Sequence, residues 1–154
     1  MIIRGEDIII RTIARVLVPF IQLYALYVIM HGHYSPGGGF QGGVILAASM
    51  VLLYITHGYS EVNRKFSVNI AALFSSIGVL IYSGIGFLCL ILLGNYLDYS
   101  KLYKLLNVDP AHARSLGILG VEIGVAFAVM AVMFSIFFDI STGGISPEDE
   151  EEKD

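Results

Sequence analysis

One carboxylate stands inside a long apolar run: Glu122, in GVEIGVAFAVMAVM. A charge at the centre of a membrane-spanning helix costs about 2.5–3.5 kcal/mol even on lenient scales. Such a residue escapes that cost by protonating, by pairing or by facing water. A carboxylate that takes up and releases a proton at membrane depth suits an ion-transfer path; the alternative is a structural acid hydrogen-bonded across an interface. Four histidines, His31, His33, His57 and His112, lie at the ends of apolar runs or between them. Histidine titrates near physiological pH, so His31 and His33 are candidates for a proton relay at the mouth of a path. Two residues apart, they do not share a helical face, and no Cys or acid completes a metal-ligand set around them. Ordinary interfacial hydrogen bonding is the plainer role. No metal site is expected. Asp139 falls at the end of its run, where a solvated carboxylate is expected.

The second feature is a twelve-residue stretch, Gly32 to Gly43, reading GHYSPGGGFQGG, with six glycines. Gly37 to Gly42 satisfy the dinucleotide pattern G-x-G-x-x-G, and Glu61 follows at roughly the spacing of a ribose-binding acid. The context excludes that reading, because apolar runs flank the motif where a short strand and an amphipathic helix should be. No Lys follows the glycines, so a phosphate-binding P-loop is excluded too. In a bilayer the same residues make a tight turn and a packing surface. Ser35 and Pro36 suit an N-cap and first helical position at or before the second helix, and Gly37, Gly38 and Gly39 permit positive φ. Gly38 with Gly42, and Gly39 with Gly43, form two overlapping small-xxx-small faces that admit a neighbouring backbone. Beyond turning and packing, a helix N-terminus here would bias an adjacent ion route electrostatically.

Composition dictates the elements that hold these groups. Of 154 residues, 56% are hydrophobic and 14% charged, with a mean hydropathy of +0.75; soluble domains carry about 25% charged residues. Four apolar runs, 12–30, 40–57, 68–93 and 116–138, are 19, 18, 26 and 23 residues long, bracketing the roughly 20 that cross about 30 Å of hydrocarbon. Backbone groups in lipid must be satisfied within their own segment, so the runs are helices. The expected fold is an all-α integral membrane protein of four transmembrane helices, residues 1–140, followed by an acidic, disordered tail from 141 to 154. The third run is long enough to tilt or protrude, and Gly84 and Gly86 mark where it would bend. The first run is too long for the core of a cleaved signal and lacks its cleavage site.

Six Lys and Arg (Arg4, Arg11, Arg15, Arg64, Lys65, Lys153) fall on the side of the N-terminus and three (Lys101, Lys104, Arg114) on the other. That asymmetry favours both termini in the cytoplasm. The net charge of −4 comes from the tail, since Glu148 to Asp154 contribute −5 and a short acidic end is ordinarily solvated. Cys89 is the only cysteine, which excludes an internal disulfide. Several tyrosines fall at run ends, as in aromatic belts.

Helical geometry separates the two faces of the last run. Gly120, Gly124 and Ala128 form one small-residue stripe, and Glu122 stands about 200° from both glycines at 100° per residue. Centred near Phe127, the run places Glu122 about 7–8 Å from the midplane. One face accepts a close neighbour and the opposite face presents the acid. Four helices are expected to be too few to cover both, which favours a small subunit wedged between larger ones.

The segment HGHYSPGGGFQGGVILAAS, His31 to Ser49, resembles the signature of the B subunit of Mrp/Mnh-type multisubunit cation/proton antiporters; related domains occur in archaeal membrane-bound hydrogenase and sulfur-reducing complexes. The similarity runs the length of the chain, through four spans, the glycine hairpin and the acid in the fourth span. It implies a non-catalytic subunit of a hetero-oligomeric complex in the cell membrane, exchanging Na⁺ or another cation for protons. Its partners would be other membrane subunits and lipid, with no nucleotide, nucleic acid or cofactor of its own. The acidic tail is not part of that signature; it is similar to tails of archaeal proteins and points weakly to the hydrogenase-like setting. A purely structural scaffold is the competing role. A self-contained transporter would be expected to carry more intramembrane polar groups and an inverted repeat, and neither is visible.

Overall fold

The computed structural model describes residues 4–33, 37–58, 62 and 66–143. Four long helices carry the chain: α1 (Arg4–Met30), α2 (Gly38–His57), α3 (Val68–Ile91) and α4 (Pro110–Thr142). A short 3-10 turn, Tyr99–Leu102, runs into one helical turn, Tyr103–Leu106, in the connection between α3 and α4. There is no strand among the described residues. Each long helix contains a stretch long and apolar enough to cross a membrane. The protein is therefore an all-α chain of four membrane-spanning helices.

Local chemistry sets the helix ends, and it moves several of them. The last helix begins at Pro110 rather than 116, because Asp109 caps it, accepting from the Ala111 amide at 3.1 Å, and Pro110 occupies its first turn. It continues through Ser141 and Thr142 and stops where Gly143 turns left-handed at φ 68°. Helix α1 starts at Arg4, eight residues before the expected boundary. Helix α3 opens on Ser67, whose hydroxyl accepts from the Ile70 amide, and ends at Ile91, short of the expected 93, because Leu93 adopts φ 65°. Residues 144–154 of the acidic tail lie outside the described residues.

The helices are ordered α1, α2, α4, α3 across the molecule, with α4 packed on both α2 and α3 and α1 on the far side of α2. Helices α1 and α2 form one antiparallel hairpin and α3 and α4 the other, so the described ends of α1 and α4 share one side. Apolar burial gives little drive between helices in lipid, and contact must come from close van der Waals packing. The α3–α4 seam shows how close. A methyl group on Gly78 would lie 2.5 Å from the Gly124 carbonyl oxygen and 2.6 Å from the Ala128 amide nitrogen. One on Gly120 would meet Ile85 at 2.8 Å. The small-residue stripe of α4 therefore faces α3, as its spacing predicted. On α2, buried Leu46 gathers Ala25 and Ile29 of α1 and Ala126 and Met130 of α4 into one cluster. Phe134 packs edge-on to Phe66 at 5.2 Å between ring centroids.

Gly78 and Gly84 lie on the same helix with opposite surroundings, since nothing approaches within 4 Å of a methyl placed on Gly84. Gly78→Leu is expected to force α3 off α4 at an overpacking cost of about 1–3 kcal/mol or more, and to lower the amount of subunit in the membrane. Gly84→Leu should leave it near the wild-type level. Immunoblots of membranes from cells expressing each variant measure the difference.

Candidate functional site

Glu122 sits on the face of α4 that meets the start of α2. A methyl on Gly39 would collide with the Glu122 carbonyl oxygen, and one on Gly32 would collide with its carboxylate. A methyl on Gly38 would lie 2.9 Å from Oε1. Three residues of the glycine segment are thus pressed around one acid, because only hydrogen at Cα leaves room for it. Gly38 is doubly constrained, since its φ of +65° is also one that other residues rarely adopt. One turn further on, a methyl on Gly43 would stand 2.8 Å from the Ala126 carbonyl oxygen, whereas one on Gly42 would strike Ile29 of α1. The two overlapping glycine faces are used separately: Gly39 and Gly43 face α4, and Gly42 faces α1.

The expectation that four helices leave one face of α4 bare is corrected here. Helix α3 covers the stripe of Gly120 and Gly124, while α2 and the α1–α2 turn cover the Glu122 face. A hairpin whose second helix is glycine-faced from its first turn makes this possible, because it approaches at backbone distance. The cap of α2 also differs from expectation. Its N-cap is Gly37, at φ 149° and ψ −88°, with no side-chain cap and no acid in the first turn; Ser35 and Pro36 lie outside the described residues. The carboxylate at this helix start comes instead from α4.

That position has an energetic meaning. The first amides of a helix lack intrahelical partners and carry the positive end of its dipole. An anion there gains about 0.3–1 kcal/mol, up to about 2 in partly buried geometry. This is less than the roughly 2.5–3.5 kcal/mol that a charge costs at membrane depth, so the helix end alone does not hold Glu122 ionised. Oε2 is buried and has no hydrogen-bond partner among the described residues. The imidazole of His33 is within electrostatic reach of the carboxylate, and its Nδ1 is buried. Among the described residues the acid thus has one helix terminus and one histidine as polar neighbours.

The two candidate relay histidines are separated by this geometry. His31 is exposed at the end of α1, with Nδ1 3.0 Å from the Tyr27 carbonyl oxygen and its ring 4.1 Å from the Tyr27 ring. His33 turns inward to Glu122. His57 bonds to the Thr56 hydroxyl at 2.9 Å near the opposite end of α2, and His112 and Asp139 are exposed.

Sequence reasoning missed a second polar contact. Gln22 of α1 donates from Nε2 to the Ser49 hydroxyl of α2 at 3.4 Å, and fully buried Ser49 donates to the Leu46 carbonyl at 2.7 Å. A lone amide in the middle of the first apolar run was the available signal. Gly32 was also overlooked, since it stands apart from the glycine triplet.

Fold and site together define a polytopic α-helical membrane protein with one acid seated at an internal helix start. Residues 9–135 match the family described as the domain related to the MnhB subunit of Na⁺/H⁺ antiporter, and the chain belongs to that family. Relatives in Staphylococcus aureus strains Newman, JH1 and USA300, each named as antiporter subunit mnhB2, are 26% identical over 148 residues, covering 91% of this chain and 98% of theirs.

The two helix-joining features differ in strength. Gly39→Ala, a single methyl, is expected to displace α2 from α4 and strongly reduce the assembled protein, because the obstacle is backbone. Gln22→Leu should be mild, since hydrogen bonds between membrane helices average about 0.6 kcal/mol. Thermal stability of the detergent-solubilised variants, followed by fluorescence size exclusion, ranks them. Equal losses would contradict this account.

Proposed function

We propose that this chain is a non-catalytic membrane subunit of a multisubunit Mnh/Mrp-type cation/proton antiporter in the cell membrane, and that Glu122 belongs to its ion-transfer path. The single observation that carries the second part is the seat of the carboxylate. It lies against Gly32 and Gly38 at the start of α2, with His33 beside it and no hydrogen-bond partner for Oε2 among the described residues. An acid needed only to join helices would be expected to spend both oxygens on fixed donors, because an unsatisfied buried acceptor costs about 1–3 kcal/mol. An acid that exchanges a proton needs an oxygen left open and a titratable neighbour, and His33 is that neighbour. His31, held at the α1 terminus by the Tyr27 carbonyl and ring, has the structural role.

Family membership and the mnhB2 relatives support the antiporter setting, with other membrane subunits as partners. The acidic tail, Glu148 to Asp154, is a weak pointer to a second setting, a host complex of the hydrogenase-like kind. Hydrogenase or antiporter genes beside this one decide between the two hosts.

Glu122→Gln keeps the shape of the side chain and its capacity to hydrogen-bond but cannot ionise. The expected outcome is normal assembly on native gels with a several-fold fall in cation-coupled proton transport in membrane vesicles. Glu122→Ala should impair assembly as well. Full transport in the Gln variant would reject the ionisable role and leave a structural acid.

A further inference from the structure

The connection between α3 and α4, residues 92–109, folds back onto the helix ends rather than standing off from them. Tyr96 packs on Gly86 of α3, and Tyr99 and Leu102 pack on Gly117 of α4, about 10 Å along that helix from Pro110. Leu102 also closes over Cys89 and Ala113. Lys104 donates from Nζ to the Leu92 carbonyl oxygen at 3.4 Å, which holds the turn Tyr103–Leu106 beside the end of α3. The inner side of the connection is therefore part of the bundle. Its outer side is apolar as well: Leu93 is 87% exposed, Leu105 60% and Leu106 42%.

Leu93 carries a conformational cost in addition. Its φ is 65°, and it closes α3 through its own amide to the Leu90 carbonyl at 3.0 Å and the Gly94 amide to the Cys89 carbonyl at 3.1 Å. Glycine ordinarily takes that place, because a Cβ is strained in the left-handed region. A side chain this exposed gains almost nothing from its own fold in return. Retained strain points to a use, and for an exposed leucine the use is apolar surroundings from outside the chain. The charges nearby say which surroundings. Asp98 accepts from the Ser100 hydroxyl and Asp109 from the Ala111 amide, whereas Lys104, Arg114, Tyr96 and Tyr103 are exposed. Hydrocarbon would exclude those cations, and the core of a protein interface is depleted in lysine. Leucines interleaved with tyrosines and cations suit the headgroup layer, where rings sit at the interface and long basic side chains reach phosphate.

We propose that the α3–α4 connection is an interfacial anchor that binds anionic phospholipid. Leu93, Leu105 and Leu106 enter the boundary of the acyl chains, and Lys104 and Arg114 meet the phosphates. Apolar contact holds the connection at the surface, and charge selects the lipid. The anchor goes beyond the ion-path reading and requires no role for Glu122.

The photoreactive residue p-benzoylphenylalanine is placed at Leu93 or at Leu105 of the full chain. The assembled complex is reconstituted in vesicles of equal parts phosphatidylcholine and phosphatidylglycerol, irradiated, and its adducts are identified by mass spectrometry. Lipid adducts are expected at both positions, with phosphatidylglycerol enriched several-fold over its share of the mixture. Lys104→Gln combined with Arg114→Gln should keep the adducts and lose the enrichment. Leu105, which is not strained, carries the reading should the Leu93 variant fail to assemble. Crosslinking to another polypeptide would make the surface a subunit contact and overturn the anchor. No adduct of either kind would mean a surface facing water and overturn it equally. Lipid adducts in the proportions of the mixture would overturn the selection of anionic headgroups.

Discussion

Everything in this subunit depends on α4 meeting its neighbours at backbone distance on two sides. On one side the contacts are Gly78 against Gly124 and Ala128; on the other they are Gly39 against Glu122 and Gly43 against Ala126. In water, larger apolar side chains would hold such helices together, because burial itself is favourable. In lipid the gain comes from contact, and contact is greatest where side chains are least. The same requirement seats the acid. With α2 pressed onto α4 through glycines, its first turn necessarily arrives at Glu122, and a helix start with no acid of its own receives one from another helix.

Helix count and type were plain from composition, since four apolar runs of 18 to 26 residues, with Arg15 and Glu122 as their only formal charges, permit little else in a bilayer. The ends were less plain. The stretch from Pro110 to Ser115 is polar, so hydropathy excluded it; its helical state follows from the Asp109 cap and from packing of Ala113 and Gly117 on the connection. Helical spacing also separated the Gly120–Gly124 stripe from Glu122 correctly. It could not say that α2 would reach the acid, because that depends on the order of helices across the molecule rather than on any one of them.

The acid itself stood out, as any charge in an apolar run does. Its company did not. His31 and His33 look alike in sequence, and only the turn geometry directs one to Tyr27 and the other to Glu122. The Gln22–Ser49 contact shows the same limit: each residue is an ordinary polar interruption, and their meeting is a property of the α1–α2 register.

The order α1, α2, α4, α3 also bears on how the chain is made. The helix that joins the two hairpins is the last of these four to be made. Until it inserts, Gly39 and Gly43 of α2 and the Gly78 face of α3 have no partner to meet, while α1 and α2 can already pack through Gly42 and Ile29. The α1–α2 hairpin and α3 therefore wait in the membrane as separate pieces. A chain interrupted before α4 leaves not a smaller version of this protein but a hairpin and a lone helix with their α4-facing surfaces bare, which gives quality control a clear criterion for removing incomplete copies.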